Sequence, residues 1–322
     1  MNILITGGTG LIGRALSRSL VQDGHAVHIL TRRPEITSSL LHPTCVPVLW
    51  NGRNTTGWRH LAESDAVINL AGESIAGEYM PGRKFSRVSM LTSILTKPWT
   101  DDKKRVIRNS RVNTGSALVE AIQKANKKPS VFVQASAVGY YGPHNTVDLP
   151  ETSPPGNNFL SEVCQAWEDS TLEIESMGIR RVTIRNGLVL SAKGGILPIM
   201  LLPFHLFSGG PIGTGKQVVP WIHIQDQVDA IRFLIDCEEA QGVYNLSAPN
   251  AVTNAEFGQI AARVLGRPNW MSTPSLALRI ALGEKASLVL EGQRAIPKRL
   301  LETGFEFKFN TLEPSLRDLL QR

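Results

Sequence analysis

Cysteine is scarce in this sequence, and its positions exclude two kinds of site. The chain of 322 residues has three cysteines, Cys45, Cys164 and Cys237. Their spacing matches neither a zinc site nor a disulfide framework. We therefore expect free thiols in a reducing compartment, and no metal site.

Long hydrophobic runs and dense basic tracts are also missing. The longest mostly apolar stretch, Ile196 to Phe207, is interrupted by prolines and is too short to span a bilayer. The net charge of +6 is modest, and no Lys/Arg tract is interleaved with aromatic residues. We expect no membrane partner and no nucleic-acid partner. Because Met1 leads directly into the first strand pattern, we expect a cytoplasmic protein, or one of an organelle matrix if a transit peptide was removed.

What the sequence does contain is an alternation of strand and helix patterns. Strands are predicted at Asn2–Thr6, Ala26–Thr31, Ala66–Leu70, Val131–Ala135 and Val182–Arg185, and the first helix at Leu11–Asp23. Such alternation is typical of βαβ units, which build a parallel sheet covered on both faces. We predict a doubly wound α/β domain over residues 1–190. Residues 191–322 are predicted to form mostly a smaller, discontinuous α/β substrate lobe and a C-terminal helical domain.

The stretch from Gly77 to Pro98 interrupts this pattern after the third predicted strand. It begins with turn-forming residues and continues without a clear apolar period. A lid over a ligand and a surface loop both remain open. We expect this insert, about residues 77–98, to be dispensable for the fold.

Glycines separate the first strand from the first helix. Gly7 permits a tight turn, Gly10 lets the backbone approach a pyrophosphate, and Gly13 lets the helix pack against the strand. The helix N-terminus presents free N–H groups and a partial positive charge to the phosphates. In this strand–turn–helix context the motif predicts a Rossmann dinucleotide site. The later run Gly210–Lys216 resembles the start of a P-loop, but Gln217 follows where Ser or Thr is needed, so we predict no triphosphate site there.

No acidic residue stands at the end of the second strand. NAD-binding proteins place an acid there to bind the ribose 2′-hydroxyl. This strand instead runs into Thr31-Arg32-Arg33. Guanidinium groups suit a 2′-phosphate through charge-assisted, bidentate bonds, so the sequence predicts NADP(H) as the cofactor.

Four segments together resemble a known superfamily. They are Gly7–Gly13, Asp65-Ala-Val-Ile-Asn-Leu-Ala-Gly72-Glu73, Ser136-Ala-Val-Gly-Tyr-Tyr-Gly142 and Pro220-Trp-Ile-His-Ile-Gln-Asp226. They resemble the extended short-chain dehydrogenase/reductases, and most nearly the branch called epimerase family proteins. Leu290–Arg299 with Thr303-Gly-Phe305 resembles the small C-terminal domain of that branch.

The resemblance implies an NADP(H) site at matching positions. Pyrophosphate contacts are expected from Thr9, Gly10, Leu11 and Ile12, in the cofactor loop bounded by Gly7 and Gly13, and 2′-phosphate contacts from Thr31 and Arg32, with Arg33 beside them. Leu70 and Ala71 would line the adenosine-to-ribose path with Gly72 and Glu73 beside them, Arg111 would meet a cofactor phosphate, and Val189 would lie near the nicotinamide.

The usual catalytic residues of the superfamily are out of register. Ala137 occupies the Ser position, Phe159 the Tyr position and Val163 the Lys position, while Arg111 stands where an Asn usually opens a helix. A general-acid tyrosine needs a neighbouring lysine to lower its pKa and a serine to orient the carbonyl. We therefore do not expect standard short-chain dehydrogenase chemistry.

Substitutes for these residues follow the fourth predicted strand. Tyr140, Tyr141 and Ser136 carry hydroxyls at the sheet edge where ligands of doubly wound folds bind. Packing of the tyrosine rings remains an equal alternative. We predict Tyr140 and Ser136 as catalytic and favour Tyr140, because the family retains the Tyr141-Gly142 pair even when another residue carries the chemistry. His223 and Asp226 resemble residues with structural roles.

Two functions stay open at this point. One is an NADP(H)-dependent oxidoreductase or epimerase that acts on a small polar or nucleotide-linked molecule. The other is a non-catalytic NADP(H)-binding protein that senses redox state. A nucleotide-sugar binder without redox chemistry is a third, weaker reading, and a homodimer remains open.

The two arginines predict a cofactor preference. We expect NADPH to bind more tightly than NADH, and Arg32→Ala to weaken NADPH by roughly 10- to 150-fold, the equivalent of one charge-assisted phosphate contact. NADH affinity should change little, because NADH lacks the 2′-phosphate. Titration calorimetry with both cofactors measures this, and equal affinities in the wild type would contradict it.

Overall fold

The computed structural model describes residues 1–75 and 99–321. The insert expected at about 77–98 therefore lies outside the described residues. In the part of the chain that is described, no helix is both long enough and apolar enough to cross a membrane.

A seven-stranded parallel sheet forms the centre of the molecule. Its strands are β1 (Asn2–Thr6), β2 (Ala26–Thr31), β3 (Val46–Leu49), β4 (Ala66–Asn69), β5 (Val131–Ala137), β7 (Arg180–Asn186) and β11 (Gly242–Leu246). Their spatial order is β3-β2-β1-β4-β5-β7-β11, and every neighbouring pair runs parallel. This is the doubly wound Rossmann arrangement predicted from the alternation of patterns.

Helices cover both faces of this sheet, and the later ones also build a smaller lobe. They are α1 (Leu11–Gln22), α2 (Pro34–Thr37), α3 (Asp101–Gln123), α4 (Phe159–Asp169), α5 (Glu173–Ser176), α6 (Leu197–His205), α7 (Ile224–Asp236), α8 (Asn254–Leu265), α9 (Ser275–Leu282), α10 (Ser287–Leu290), α11 (Lys298–Glu302) and α12 (Leu312–Leu320). Successive side chains of a strand point to opposite faces, so Ile3 and Ile5 of β1 pack in one core while Leu4 packs in the other. Both faces of β1 are thus buried, which explains its continuous apolar run.

A smaller lobe is built from later segments of the chain. Short strand pairs join β8 (Leu188–Leu190) to β10 (Trp221–His223), β9 (Val218–Val219) to β12 (Val252–Thr253), and β6 (His144–Leu149) to β13 (Gln293–Ala295). A separate hydrophobic core fills this lobe and includes Leu201, Trp221, Phe257 and Leu316. The discontinuous α/β lobe predicted from the sequence is therefore present.

Two features of the central sheet differ from the prediction. The sheet continues past the boundary predicted near residue 190, because β11 pairs in register with Val182–Asn186. Strand β3 was not predicted at all. It contains Pro47 and forms the edge of the sheet, where a residue without an N–H group is tolerated and apolar patterning is weak.

The C-terminal segment is fixed to the sheet domain at the start of α7. The Asp226 carboxylate accepts the Lys308 N–H at 2.8 Å and the Phe309 N–H at 3.0 Å. Burial raises the pKa of Asp226, and these backbone donors oppose that rise. Nearby, His223 Nδ1 accepts the Gln225 N–H at 3.0 Å and so caps the helix. Both residues thus have structural contacts, as their family counterparts suggested.

His223 gives this junction a pH dependence. Its Nε2 lies 3.3 Å from the Asp318 carboxylate, and burial lowers the pKa of His223 from 6.5 to about 4 despite that carboxylate. Because the unfolded chain takes up the proton first as pH falls, the stability that His223 contributes is complete above about pH 6.5. It is lost as pH falls towards the folded-state pKa of about 4.

We expect His223→Asn to reduce this pH dependence, because asparagine can cap the helix but does not titrate. Urea unfolding at pH 7.5 and at pH 4.5 should show a smaller difference in the free energy of unfolding than in the wild type, by on the order of 1–3 kcal/mol. Gln225→Ala, an exposed change on the same helix turn, serves as the control. The same loss of stability in His223→Asn as in the wild type would contradict the assignment.

Candidate cofactor and active site

The predicted cofactor residues meet along one edge of the central sheet. Strands β2, β1 and β4 are parallel neighbours, so their carboxyl ends lie side by side. The loops that follow them carry Gly7–Gly13, Thr31–Arg33 and Leu70–Glu73. The structure therefore brings three separate sequence segments together at the carboxyl edge of the sheet, where ligands of doubly wound sheets bind.

Close backbone packing explains the glycines of the first loop. Gly7 has φ +69°, and a Cβ there would lie 2.5 Å from the Leu70 carbonyl oxygen. A Cβ at Gly13 would lie 2.4 Å from the Gly7 carbonyl oxygen. Gly8, which was not singled out from the sequence, is equally constrained, because its Cβ would meet the Ile29 side chain at 2.6 Å. Side chains at these positions would push the loop off β2 and β4.

The N-terminus of α1 fits a pyrophosphate. Gly10 is its N-cap residue, no side chain caps the helix, and its first turn contains no acidic residue. The N–H groups around Leu11 and Ile12 therefore keep their hydrogen-bonding capacity for an anion. Gly10 is exposed, and a Cβ there would meet protein only at the Gly7 carbonyl oxygen, 3.2 Å away. Thr9, half-buried, completes the loop.

The arginines after β2 remain available for a phosphate. Arg32 and Arg33 are both exposed, and neither forms a salt bridge with any residue in the described ranges. The Thr31 hydroxyl accepts the Arg33 N–H at 3.3 Å and lies 2.9 Å from the Thr37 hydroxyl, which fixes the turn. This geometry suits the 2′-phosphate predicted from the sequence.

Arg111 contacts the loop that follows β4. Its guanidinium donates to the Glu73 carbonyl oxygen at 3.1 Å and lies 4.8 Å from the centre of the Trp167 ring. A Cβ at Gly72 would lie 3.0 Å from that guanidinium. Burial lowers the pKa of Arg111. The Glu73 carboxylate is paired with Lys103 at 2.9 Å. Both the backbone and the side chain of Glu73 are therefore bonded, which fixes the end of the segment that begins with Leu70 and Ala71.

A buried chain of polar side chains crosses β1, β4 and β5 and was not predicted from the sequence. The Thr6 hydroxyl donates to Asn69 Oδ1 at 2.6 Å, and Asn69 Nδ2 donates to Gln134 Oε1 at 2.9 Å. All three residues are fully buried. A polar residue inside or at the end of each apolar strand pattern could have indicated this network, because polar side chains need hydrogen-bond partners when they are buried.

An ion pair organises the loop after β5. Arg185 Nε and Nη2 both donate to the Glu168 carboxylate at 2.9 Å. Burial alone would lower the pKa of Arg185, but the bonds and charge of Glu168 outweigh it and raise that pKa. The Ser136 hydroxyl donates to the same carboxylate at 2.6 Å, and Ser136 is only 2% exposed. Ser136, predicted as catalytic, therefore directs its hydroxyl to Glu168 instead of a ligand.

The two adjacent tyrosines have different surroundings. Tyr141 is fully buried, its hydroxyl donates to Asn245 Oδ1 at 2.7 Å, and Arg185 donates to that hydroxyl at 3.0 Å. Burial raises the pKa of Tyr141. Tyr140 is half-buried, and its ring lies 3.3 Å from the Arg185 guanidinium carbon. Within the described ranges, no hydrogen bond occupies the Tyr140 hydroxyl.

The positions of the missing tyrosine and lysine lie beside this loop. Phe159 is the first residue of α4 and is half-buried, whereas Val163, one turn later, is 2% exposed. Burial and the nearby Glu168 raise the pKa of Cys164 to about 11, so this thiol stays protonated. Val189 lies in β8 opposite Ile222, at the junction between the sheet and the lobe.

The geometry at Gly10 predicts a loss of cofactor binding on substitution. Gly10→Val should fold, since its side chain meets little protein, but should abolish NADPH binding by filling the space of the pyrophosphate. The thermal unfolding temperature of Gly10→Val, compared with that of the wild type, checks that the variant is folded. Calorimetry that shows normal NADPH binding to folded Gly10→Val would contradict this assignment.

Comparison with known proteins extends over nearly the whole chain. It is 38% identical over 321 residues to epimerase family protein YfhF of Bacillus subtilis, covering 99% of this chain and 98% of that protein. The crystal structure of human epimerase family protein SDR39U1 with NADPH matches at a TM-score of 0.85 and 34% identity, covering 100% of this chain and 99% of that chain. A UDP-glucose 4-epimerase from Thermotoga maritima matches at a TM-score of 0.73 and 17% identity, covering 100% and 99% of the two chains, which shows a shared fold.

Family models divide the chain into two parts. Residues 273–319 match a domain of unknown function, DUF1731. Residues 3–247 match the NAD dependent epimerase/dehydratase family, and that range contains the whole central sheet. The chain belongs to the NAD dependent epimerase/dehydratase family.

Proposed function

We propose that this protein binds NADP(H) and uses it to reduce or oxidise a small carbonyl or alcohol substrate. The observation that carries the proposal is the anion site at the N-terminus of α1, uncapped by any side chain and free of acid in its first turn. Exposed Arg32 and Arg33 lie at the end of the neighbouring strand β2. The similar human protein was solved with NADPH, which supports the same cofactor here.

The bound cofactor would supply or accept a hydride, and the chain's own residues would supply position and a proton. Tyr140 is the hydroxyl that we assign to the proton. It follows β5 at the carboxyl edge of the sheet, no residue in the described ranges forms a hydrogen bond with its hydroxyl, and the centre of its ring lies 3.3 Å from the Arg185 guanidinium carbon. Ser136 and Tyr141 have their hydroxyls bonded to Glu168 and Asn245 and are less suited to proton transfer.

The redox-sensing alternative rests on a separate observation. Phe159 and Val163 occupy the positions of the tyrosine and lysine of the superfamily, and neither side chain can move a proton. A panel of aldehydes, ketones and sugar nucleotides incubated with protein and NADPH separates the two functions by absorbance at the nicotinamide band. Substrate-dependent consumption of NADPH supports an enzyme. Tight NADPH binding without consumption by any compound supports the sensor.

We expect Tyr140→Phe to lower turnover by about 10²- to 10⁴-fold, the usual contribution of a general acid, while the affinity for NADPH is unchanged. Tyr244→Phe is the matched control, since Tyr244 is a buried residue of β11 whose ring packs on Arg299. Its turnover should equal that of the wild type. Unchanged turnover in Tyr140→Phe would remove Tyr140 from the mechanism.

A further inference from the structure

The loop between β8 and α6 lies against the N-terminus of α1. This loop, residues 191–196, leaves β8 at the junction between the sheet and the smaller lobe and leads into α6. A Cβ at Gly195 would lie 2.8 Å from Leu11 Cδ2 and 3.7 Å from the Val189 carbonyl oxygen. Leu11 is the first residue of α1 and follows the N-cap residue Gly10, where we place the pyrophosphate. The loop therefore borders the cofactor site.

Two glycines in this loop allow the close approach. Gly194 has φ +147° and Gly195 has φ +74°, backbone conformations that other residues rarely adopt. A side chain at position 195 would be strained and would also collide with Leu11. The conformation that brings the loop to the start of α1 thus depends on its own sequence.

Lys193 is the only cationic residue of the loop. Its N–H donates to the Ser191 hydroxyl at 3.2 Å, and Ser191 is only 3% exposed, so the turn before the glycines is anchored. The Lys193 side chain is exposed, and no residue in the described ranges forms a salt bridge with it. Lys193 precedes Gly195 by two residues, which span at most about 7 Å of chain. A flexible four-carbon side chain can therefore bring its ammonium group to the start of α1.

The start of α1 supplies only part of the charge that a pyrophosphate needs. The pyrophosphate of a dinucleotide is doubly negative, whereas the N-terminus of a helix is equivalent to about half a positive charge. Arg32 and Arg33 follow β2 and are assigned to the 2′-phosphate. A lysine that reaches the helix N-terminus would add a full charge and as many as three donors to the same anion.

We infer that Lys193 binds the pyrophosphate of NADP(H), so that the smaller lobe and the N-terminus of α1 hold this group together. The inference rests on the cofactor binding in the proposed function and not on hydride transfer. The pyrophosphate is common to NADPH and NADH. Lys193 therefore raises the affinity for both cofactors, whereas Arg32 distinguishes between them.

A pair of variants tests the charge of Lys193. Titration calorimetry measures the affinity of Lys193→Gln for NADPH and for NADH. We expect both dissociation constants to rise at least about tenfold and by factors that agree within about threefold, the effect of one charge-assisted phosphate contact. Lys193→Arg keeps the charge and should stay within about threefold of the wild type. Unchanged affinities in Lys193→Gln, or a loss limited to NADPH, would overturn the inference.

Lys216→Gln is the matched control, because Lys216 is an exposed lysine in another glycine-containing loop of the same lobe. Its affinities for NADPH and NADH should equal those of the wild type. A decrease as large as that of Lys193→Gln would show a general effect of net charge and would overturn the assignment to Lys193.

Two fragments of the cofactor locate the contact. ADP carries the diphosphate without a 2′-phosphate, and 2′-AMP carries the 2′-phosphate without a diphosphate. In competition with NADPH, Lys193→Gln should weaken ADP and leave 2′-AMP unchanged, whereas Arg32→Ala should weaken 2′-AMP and leave ADP unchanged. Unchanged ADP affinity in Lys193→Gln would place the ammonium group away from the pyrophosphate and contradict the inference.

Salt separates a charge contact from a change in packing. Added salt screens an exposed charge, so the ratio of the Lys193→Gln and wild-type dissociation constants should shrink between about 0.02 M and 0.5 M NaCl. The thermal unfolding temperature of the variant without cofactor should equal that of the wild type. A ratio that does not depend on salt, or a lower unfolding temperature, would indicate a structural role and overturn the inference.

The two proposals fail in different ways. A wild-type protein that binds neither NADPH nor NADH refutes both. Binding that is the same in Lys193→Gln and in the wild type refutes only the role of Lys193. Binding that depends on Lys193, without consumption of NADPH by any carbonyl compound, refutes the redox reaction and supports the role of Lys193.

Discussion

The ion pair between Glu168 and Arg185 is the interaction on which the candidate active site depends. Glu168 lies in α4 and Arg185 in β7, and both are almost fully buried. Two hydrogen bonds of 2.9 Å join them in the bidentate geometry that guanidinium and carboxylate favour. Removal of one partner would leave a buried, uncompensated charge, which typically costs about 3–5 kcal/mol. The pair therefore fixes the position of the helix relative to the sheet.

This pair determines which hydroxyls remain for chemistry. Glu168 accepts the Ser136 hydroxyl, and Arg185 donates to the Tyr141 hydroxyl and lies against the face of the Tyr140 ring. Two of the three hydroxyls noted in the sequence, those of Ser136 and Tyr141, are thereby hydrogen-bonded within the protein. The network continues through Asn245, whose backbone N–H donates to Glu151, a buried carboxylate that also accepts the Arg299 N–H. The reactive loop is thus connected to the C-terminal domain by consecutive hydrogen bonds.

Local patterns were enough to predict the central elements and the cofactor loop. Strands β1 and β2 have the bounds expected from their apolar runs, because Gly7 ends the first run and Gly24 comes just before the second. The place of β11 in the sheet was not predictable, since it depends on register with Val182–Asn186 about 60 residues earlier, a contact that no local pattern encodes. The pairing of Glu168 with Arg185 also arises from the fold, because it joins a helix to a strand. The visible signal was an arginine inside the apolar pattern of β7, which must find a partner when buried.

Val163 stands at the position of the usual lysine, and the cation beside the two tyrosines is instead the buried Arg185, which changes how a proton could move. A lysine beside a catalytic tyrosine can pass protons and lower the tyrosine pKa, whereas an arginine stays protonated. Here Glu168 raises the pKa of Arg185 further, so the guanidinium orients Tyr140 and Tyr141 but does not relay protons. Tyr140 is half-buried, whereas Tyr141 is fully buried in the core. Under the proposed function, the proton would therefore pass through Tyr140, the one tyrosine of the pair that is not fully buried.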